Sequence, residues 1–386
     1  MAEPDREPHT GAVGRGLTAQ RVLRDVDVIA RAGLETGEFL EEALASVTRA
    51  VPHVAACVAN LDPSTHLNTG AHKFGDLRDR DGHDREWGLL EFQSGDPLSI
   101  AELARCDDGA VGVQSWNTEA QVPTTRLEAF MLPHFGYADE LRVVLRERGE
   151  VWGGLSLFRG AGEPAFDADE VALMSALSSL LALGMRTGLL ARLMSTTAVP
   201  AGPAVIVVGA DNTIRQVSAG ASARIDELLS ASVTEPLGTI AALVGAARSY
   251  AGGRLDRPPR CRVRGRSGMW LVLHATCLVS ADGTSGDVVV TIDEARPPEI
   301  VPLVVAAFDL TQRERDVALL VLQGVETKEI AARLHLSAYT VQDHLKSVFD
   351  KAGVRSRREL VARIYFDQYV PRLGTELGPT GWFASS

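Results

Sequence analysis

Along the stretch SAYTVQDHLKSVFDKAG (337–353), Tyr339, Gln342, Asp343, Lys346 and Asp350 fall on one side of a helical repeat. Val341, Leu345, Val348 and Ala352 recur at i, i+4, i+7 and i+11 on the other side, the spacing of a core stripe. A phenol, a carboxamide, carboxylates and an ammonium on one outward face are hydrogen-bonding groups of both polarities. Their chemistry is recognition of another molecule's donors and acceptors. Spacings that make or break bonds are missing. None of Lys73, Lys328, Lys346 and Lys351 ends a GxxxxGK[ST] loop, there is no HExxH, and GLSLF and GTSGD lack the second glycine of a nucleophile elbow.

Presenting such a face takes a supporting helix. TKEIAARLHLS (327–337) supplies it: Ile330 and Leu334 face the core, small Ala331 permits a close crossing, and HLS is a short turn. Two helices so joined can lay the second in the major groove of a duplex while the first crosses its backbone. Thr311-x-x-Glu314 and Ser356-x-x-Glu359 are capping boxes, in which hydroxyl and carboxylate satisfy orphan amides at a helix start. Thr327 and Ser337 are placed to cap two further helices, and Pro371 to end the last. The spacing predicts four helices between 303 and 372.

Leu310-Thr311-x-Arg313-Glu314, Gly324, Lys328-Glu329-Ile330-Ala331, Leu334, Ser337, Thr340-Val341, His344, Lys346, Lys351, Gly353 and Ser356 together resemble the LuxR-type helix-turn-helix, over about 60 residues. The resemblance implies double-stranded DNA as partner. It puts Thr327, Lys328, Ser337, Tyr339, Thr340 and Lys351 near phosphates and turns Gln342, Asp343 and Lys346 to base edges. It implies a homodimer on an inverted-repeat operator, paired through the last helix by Leu360, Val361, Ile364 and Tyr365; packing within the module is the other use of that helix. Gln342-Asp343 stands where many members carry a basic residue followed by Asn or Thr. A carboxylate is repelled by phosphates. It can accept a hydrogen bond from a cytosine amino group, a contact that discriminates by ~1–3 kcal/mol. Alternatively, Asp343 makes an i,i+3 ion pair that holds Lys346.

The 386 residues carry a formal net charge of −11, unevenly spread. From Thr311 to Arg372 there are 11 Lys and Arg against 8 Asp and Glu, whereas 1–310 hold 28 against 41. A small basic module hangs from an acidic body that would repel nucleic acid, so any such contact is local and oriented. Apolar runs such as LSSLLALGM (177–185) fall short of the ~20 residues of a membrane span. The N-terminus lacks the apolar core of a signal peptide. Cys57, Cys106, Cys261 and Cys277 form no CxxC pair and read as reduced thiols. Cytoplasmic residence, without membrane attachment, is the expectation.

Length and punctuation divide the chain into a disordered leader (1–16), a mixed α/β sensor (17–194), a linker (195–203), a second small α/β unit (204–296), the helical module (303–372) and a tail (373–386). In the first sensor, DELRVVLRERGEVWGGLSLFRG reads as two strands around a turn, and Asp167 with Glu170 as the capping box of a long closing helix. That helix could cover its own sheet or carry a signal onward. The order of elements resembles a GAF domain there and a PAS domain in 204–296, where VIVVGADNTIRQV gives two strands around an Asp-Asn turn. RPPEIVP closes the second unit with prolines. The expected fold class is multidomain: two α/β (α+β) sensors, GAF-like and PAS-like, then an all-α four-helix LuxR-type module.

Ligand residues are not legible. Arg126, Glu140 and Arg142 read as an internal salt bridge before a ligand clamp. Trp87, Trp116, Tyr137 and Trp152 read as core before pocket lining. His53, His66, His72, His83, His134 and His274 have no metal-ligand spacing, so no metal is expected, and no motif requires a cofactor. The expected function is a DNA-binding, non-enzymatic transcription regulator whose sensors, by binding a small molecule or a partner protein, control operator binding. A protein that uses the helical module to dimerise with and titrate other regulators is the alternative.

Overall fold

Long apolar runs bounded by turn residues pair, in the computed structural model, as two antiparallel sheets joined to a bundle of helices. Residues 9–93, 95–106, 109–120, 126–191, 203–228, 236–279 and 285–369 are described. The linker 195–202, Pro371 and the tail 373–386 lie outside them.

The N-terminal unit runs α1 (His9–Ala30), α2 (Thr36–Val47), β1 (Ala55–Leu61), β2 (Asn68–Gly75), α3 (Asp84–Gln93), α4 (Ile100–Leu103), β3 (Ala110–Gly112), α5 (Val113–Ala120), α6 (Leu132–Phe135), β4 (Tyr137–Glu147), β5 (Glu150–Gly160) and α7 (Ala168–Ala191). Its strands lie in the order β2-β1-β5-β4-β3. The β4–β5 hairpin turns at Arg148 and Gly149, both at positive φ (53° and 82°), as a two-residue turn of the right twist demands. Helix α1 starts at His9, within the stretch 1–16 expected as a leader; residues 1–8 are not described. Asp167 and Glu170 cap α7 reciprocally, at 2.9 Å in both directions. Leu173, Met174, Leu177 and Leu181 of α7 are buried, and α7 packs on β4 and β5 on one side and on α1 and α2 on the other. This double burial explains a segment that sequence reading undervalued. Ala168–Leu190 is long and apolar enough to cross a membrane by length and composition, and half of it is buried within the fold.

The central unit runs β6 (Ala204–Val208), β7 (Ile214–Val217), α8 (Ala221–Leu228), α9 (Pro236–Ala251), β8 (Arg260–Arg264), β9 (Trp270–Val279) and β10 (Ser285–Glu294). Its sheet, β7-β6-β10-β9-β8, repeats the first sheet's order when strands are counted within each unit. Asn212, at φ 64°, makes the expected turn between β6 and β7. The two units meet where α9 crosses α3. A Cβ on Gly88 would come within 2.6 Å of the Gly238 carbonyl oxygen, so only glycine permits this approach.

The prolines of 296–302, which close the second unit in the sequence, begin a helix. Pro297 and Pro298 open helix α10 (Pro297–Ala307), at the first positions of a helix, where a missing amide costs nothing. Pro302 lies inside the helix, whose Ile300, Val301, Leu303, Val304 and Val305 are buried. Helices α11 (Gln312–Leu322), α12 (Thr327–Leu334), α13 (Ala338–Ala352) and α14 (Arg357–Tyr369) follow. Thr311 and Glu314 form the expected box, Ser337 accepts from the Thr340 amide, and Ser356 accepts from the Glu359 amide. Glu359 reaches back to Arg355 N, one residue earlier than a box requires. Thr327 is not a cap: it is the first helical residue of α12, and Glu326 before it makes no side-chain cap bond.

One buried apolar cluster runs from α1, α2 and the first sheet through α10 into α11–α14. Polar ties run beside it. Arg186 Nη1 donates to the Ala307 carbonyl oxygen (2.6 Å), Arg315 pairs with Glu150 (3.0 Å), and Arg148 pairs with Asp309.

Helix α13 ends at Gly353, whose φ of 64° is left-handed, with the Gly353 amide bonded to Asp350 O and the Val354 amide to Phe349 O. A Cβ there has room but not the conformation. We expect Gly353→Ala to destabilise the chain by about 1 kcal/mol in urea unfolding; unchanged stability would contradict the αL assignment.

Candidate nucleic-acid interface and the cavity behind it

The turn between α12 and α13 is made by His335, at φ 54° and ψ 45°, with the Leu336 amide returning to the Ala331 carbonyl oxygen (2.8 Å). Ser337 Oγ then accepts from Thr340 N (3.0 Å) and bonds Thr340 Oγ1 (2.8 Å), which fixes the start of α13. Val341, Leu345, Val348 and Ala352 are buried, as their spacing predicts. Tyr339 is 73% exposed, and Gln342, Asp343, Lys346 and Asp350 are exposed as well. The five polar residues picked from the sequence therefore share one open face.

Among the described ion pairs none involves Asp343 or Lys346, so the Asp343–Lys346 pair is not made in this structure. Thr327 and exposed Lys328 stand in the first turn of α12, and Ser337, Tyr339 and Thr340 at the start of α13. Each helix N-terminus offers unsatisfied amides and a positive dipole end, a setting suited to anions.

Lys351 is occupied otherwise. Its Nζ donates to Glu314 Oε2 (2.7 Å), while Ser347 Oγ donates to Glu314 Oε1 (2.6 Å) and Thr311 N to Glu314 Oε2 (2.6 Å). Lys351 thus ties α13 to α11 while it remains exposed. Burial alone would raise the Glu314 carboxyl; donors from Lys351, Ser347 and Thr311 hold it down at about 2.

The residues expected to pair two subunits are also engaged. Leu360 and Ile364 are buried within their own chain, where α14 packs on α10 and α13; Val361 is half-buried, and of Tyr365 only the backbone is described. Pairing through Leu360 and Ile364 would require α14 to be uncovered first.

Behind this module the N-terminal unit encloses a cavity of about 80 Å³ between its sheet and α3, with Gly238 and Thr239 of α9 in the wall. The expected internal salt bridge lies there and is larger than the sequence suggested. Arg126 binds Glu140 through Nε (3.0 Å) and Nη2 (2.8 Å) and Glu91 through Nη1 (2.7 Å); Arg142 Nη2 reaches Glu91 Oε1 (2.7 Å). Glu91, on α3, is the member sequence reading missed. Burial pushes both carboxyls up, but the two guanidiniums outweigh it and hold Glu91 and Glu140 below the usual range. Arg142 Nε and Nη1 are buried without a hydrogen-bond partner.

Trp87 lines this cavity beneath the Arg126 guanidinium (5.0 Å). Trp152 lines a second cavity, between the units, while Tyr137 stacks in the core on Phe158 (4.7 Å) and Trp116 packs at the core's edge. Of the six histidines considered, the fold brings the rings of His83 and His134 together, 4.1 Å apart.

The profile of the family described as "Bacterial regulatory proteins, luxR family" matches residues 309–364. The spore germination protein GerE of Bacillus subtilis is 42% identical over 55 residues, 14% of this chain and 74% of that protein. The transcriptional regulatory protein UhpA of Escherichia coli is 46% identical over 56 residues, 14% of this chain and 29% of that protein. An HTH-type transcriptional regulator of Mycobacterium bovis is 52% identical over 52 residues, and the match spans 6% of its length. Similar solved structures include the GAF domain of a Coxiella burnetii phosphoenolpyruvate-protein phosphotransferase (15% identity, 44% of this chain and 93% of that one, TM-score 0.30). A Vibrio cholerae VqmA–ligand–DNA complex is another (16% identity, 45% and 84%, TM-score 0.22).

The Glu314 carboxyl predicts a pH dependence. Its folded value, about 2, lies below the usual 4.5, so its contribution is complete above about pH 4.5 and is lost as pH falls towards 2. We expect the acid-side fall in stability to be shallower in Glu314→Gln over this range, and the variant to be the less stable protein at pH 7. Parallel stability–pH curves would contradict it.

Proposed function

The chain belongs to the LuxR family of bacterial regulatory proteins, and from that premise we propose that it is a cytoplasmic, non-enzymatic transcription regulator that binds double-stranded DNA through α12 and α13. The observation that carries the reading is the exposed polar face of α13, flanked by two helix N-termini and backed by a buried stripe. On this reading α13 enters the major groove. Gln342, Asp343 and Lys346 meet base edges, and Thr327, Lys328, Ser337, Tyr339 and Thr340 meet phosphates. Asp343, unpaired with Lys346, is the base reader that exchanges raw affinity for selectivity.

The N-terminal unit, 17–194, is read as a GAF-like sensor and 204–296 as a PAS-like one. A small molecule or partner acting on them changes how the acidic body holds the helical module. Because α14 is covered by α10, formation of a homodimer on an inverted repeat is coupled to release of that contact.

The test is capture and sequencing of genomic DNA fragments by the full-length protein, alongside 303–372 alone. Discrete inverted-repeat sites are expected, enriched more strongly by the short form if the body holds the module shut. Lys328→Ala should lower affinity for all sequences and reduce the salt slope by about one. Asp343→Ala should lose ~1–3 kcal/mol of discrimination at one base pair while keeping affinity. No enrichment by either form would overturn the DNA-binding reading in favour of a protein that titrates other regulators.

A further inference from the structure

The fold gathers three ligand-type side chains that the sequence scatters. His83 immediately precedes α3, with its carbonyl oxygen accepting from the Trp87 amide (2.9 Å), and Glu86 stands three residues on, in the same first turn. His134 comes from α6, and its ring lies 4.1 Å from that of His83. His83 Nδ1 lies 3.6 Å from Glu86 Oε2, and His134 Nε2 lies 3.8 Å from the same oxygen. All three residues offer a ligand atom within 4.8 Å of the other two.

Packing holds the rings there. His83 stands edge-on to Phe130 (6.2 Å) and Phe135 (5.6 Å), and His134 leans on Phe130 (5.1 Å). The Arg80 guanidinium is engaged by the Phe135 ring (4.8 Å) and the His134 carbonyl oxygen (3.0 Å). Histidine and glutamate remain partly open to solvent, which leaves an entry path.

We propose that His83, Glu86 and His134 form a binding site for a divalent transition-metal ion of the zinc class. Two imidazoles and a carboxylate are borderline ligands that suit zinc and its neighbours over magnesium or calcium. In a tetrahedral site with bonds of about 2.0–2.1 Å, ligand atoms sit roughly 3.3 Å apart. The two imidazole-to-carboxylate distances exceed this by about half an ångström at most, within reach of side-chain rotation, and the three ligand atoms lie within 4.8 Å of one another. Three protein ligands leave a fourth position for water or another donor. The ion would staple α6 to the first turn of α3. The next turn of that helix carries Trp87, Gly88 and Glu91, which line the cavity and meet α9. The proposal departs from the expectation, drawn from sequence spacing, that no metal is bound.

The experiment is titration of the full-length, tag-free, metal-free protein with Zn²⁺, followed by calorimetry, and with Co²⁺, followed by its visible absorption. One equivalent should bind, with Co²⁺ giving the intense bands of a four-coordinate site, and Zn²⁺ should raise the thermal unfolding temperature. His83→Ala and His134→Ala should each weaken binding by at least ~10-fold, the size of effect that even outer-shell changes produce. Glu86→Gln should weaken it too, while Cys106→Ser, a change at an exposed thiol elsewhere, should leave it unaltered. The variants lie near the surface, and circular dichroism of the metal-free forms checks that they fold. Absence of stoichiometric binding, or binding that survives both histidine changes, would overturn the proposal.

Discussion

Asp62 and Arg262 are 200 positions apart and meet in the interior, and the arrangement of the three parts of the chain turns on that pair. Arg262 Nε reaches Asp62 Oδ2 at 2.7 Å and its Nη2 reaches Oδ1 at 2.5 Å, while the Arg262 amide also donates to Oδ2. The remaining donors go to Ser64 Oγ (2.7 Å) and to the Glu299 carbonyl oxygen (2.9 Å). One guanidinium therefore touches the end of β1, strand β8 of the central unit, and the first turn of α10. Both side chains are buried, and burial would raise the Asp62 carboxyl, yet the Arg262 bonds hold it below its usual range. Removing one partner of such a pair costs ~3–5 kcal/mol because the other charge is left buried, whereas an apolar replacement of both can be neutral. What the pair specifies is placement: where the second sheet sits on the first, and where α10 starts.

That placement fixes what α3 can report. The helix lies between the cavity and the central unit, with Glu91 committed to two guanidiniums on one side and Gly88 pressed on Gly238 on the other. Neither contact tolerates a shift of a few tenths of an ångström without loss, because one is a buried ionic network and the other a backbone-to-backbone approach. The cavity wall and α9 are thus in direct packing contact through α3. The route to the helical module is different: α7 rests on the first sheet and on α10, and Arg186 joins Glu147 (2.7 Å) to the last carbonyl of α10.

Legibility in the sequence follows the range of the forces involved. Thr311 with Glu314, Ser337, and the buried stripe from Val341 to Ala352 are set by residues within four positions of one another, and all were found. Asp167 with Glu170 and the Asn212 turn are of the same kind. Thr327 was misplaced by one because Glu326 already adopts the extended cap conformation, and nothing local distinguishes a hydroxyl at the cap from one just inside it. The prolines of 296–302 mark the close of the second unit in the sequence, yet at positions one and two they start a helix, and burial of the following apolar residues carries it past Pro302. Asp62–Arg262, Glu91 with its two arginines, and the meeting of His83 with His134 join residues dozens to hundreds of positions apart. No periodicity records such contacts; they exist only once the sheets have set their register.

The carboxylate on the open face of α13 now has a physical context. Of the cations in the module, Lys351 is neutralised by Glu314, Arg315 by Glu150, and Arg333 is paired with Glu329 at the surface. Lys328 and Lys346 remain open near the face, beside the amides that begin α12 and α13. Arg355, Arg358 and Arg363 are exposed as well, and on the DNA-binding reading the acidic 1–310, at −13, opposes the attraction that these charges supply. Affinity must then come from fitted base contacts or from joining two modules, since linkage multiplies weak sites without adding charge. On the same reading, the packing of α10 on α14 opposes the second of these routes.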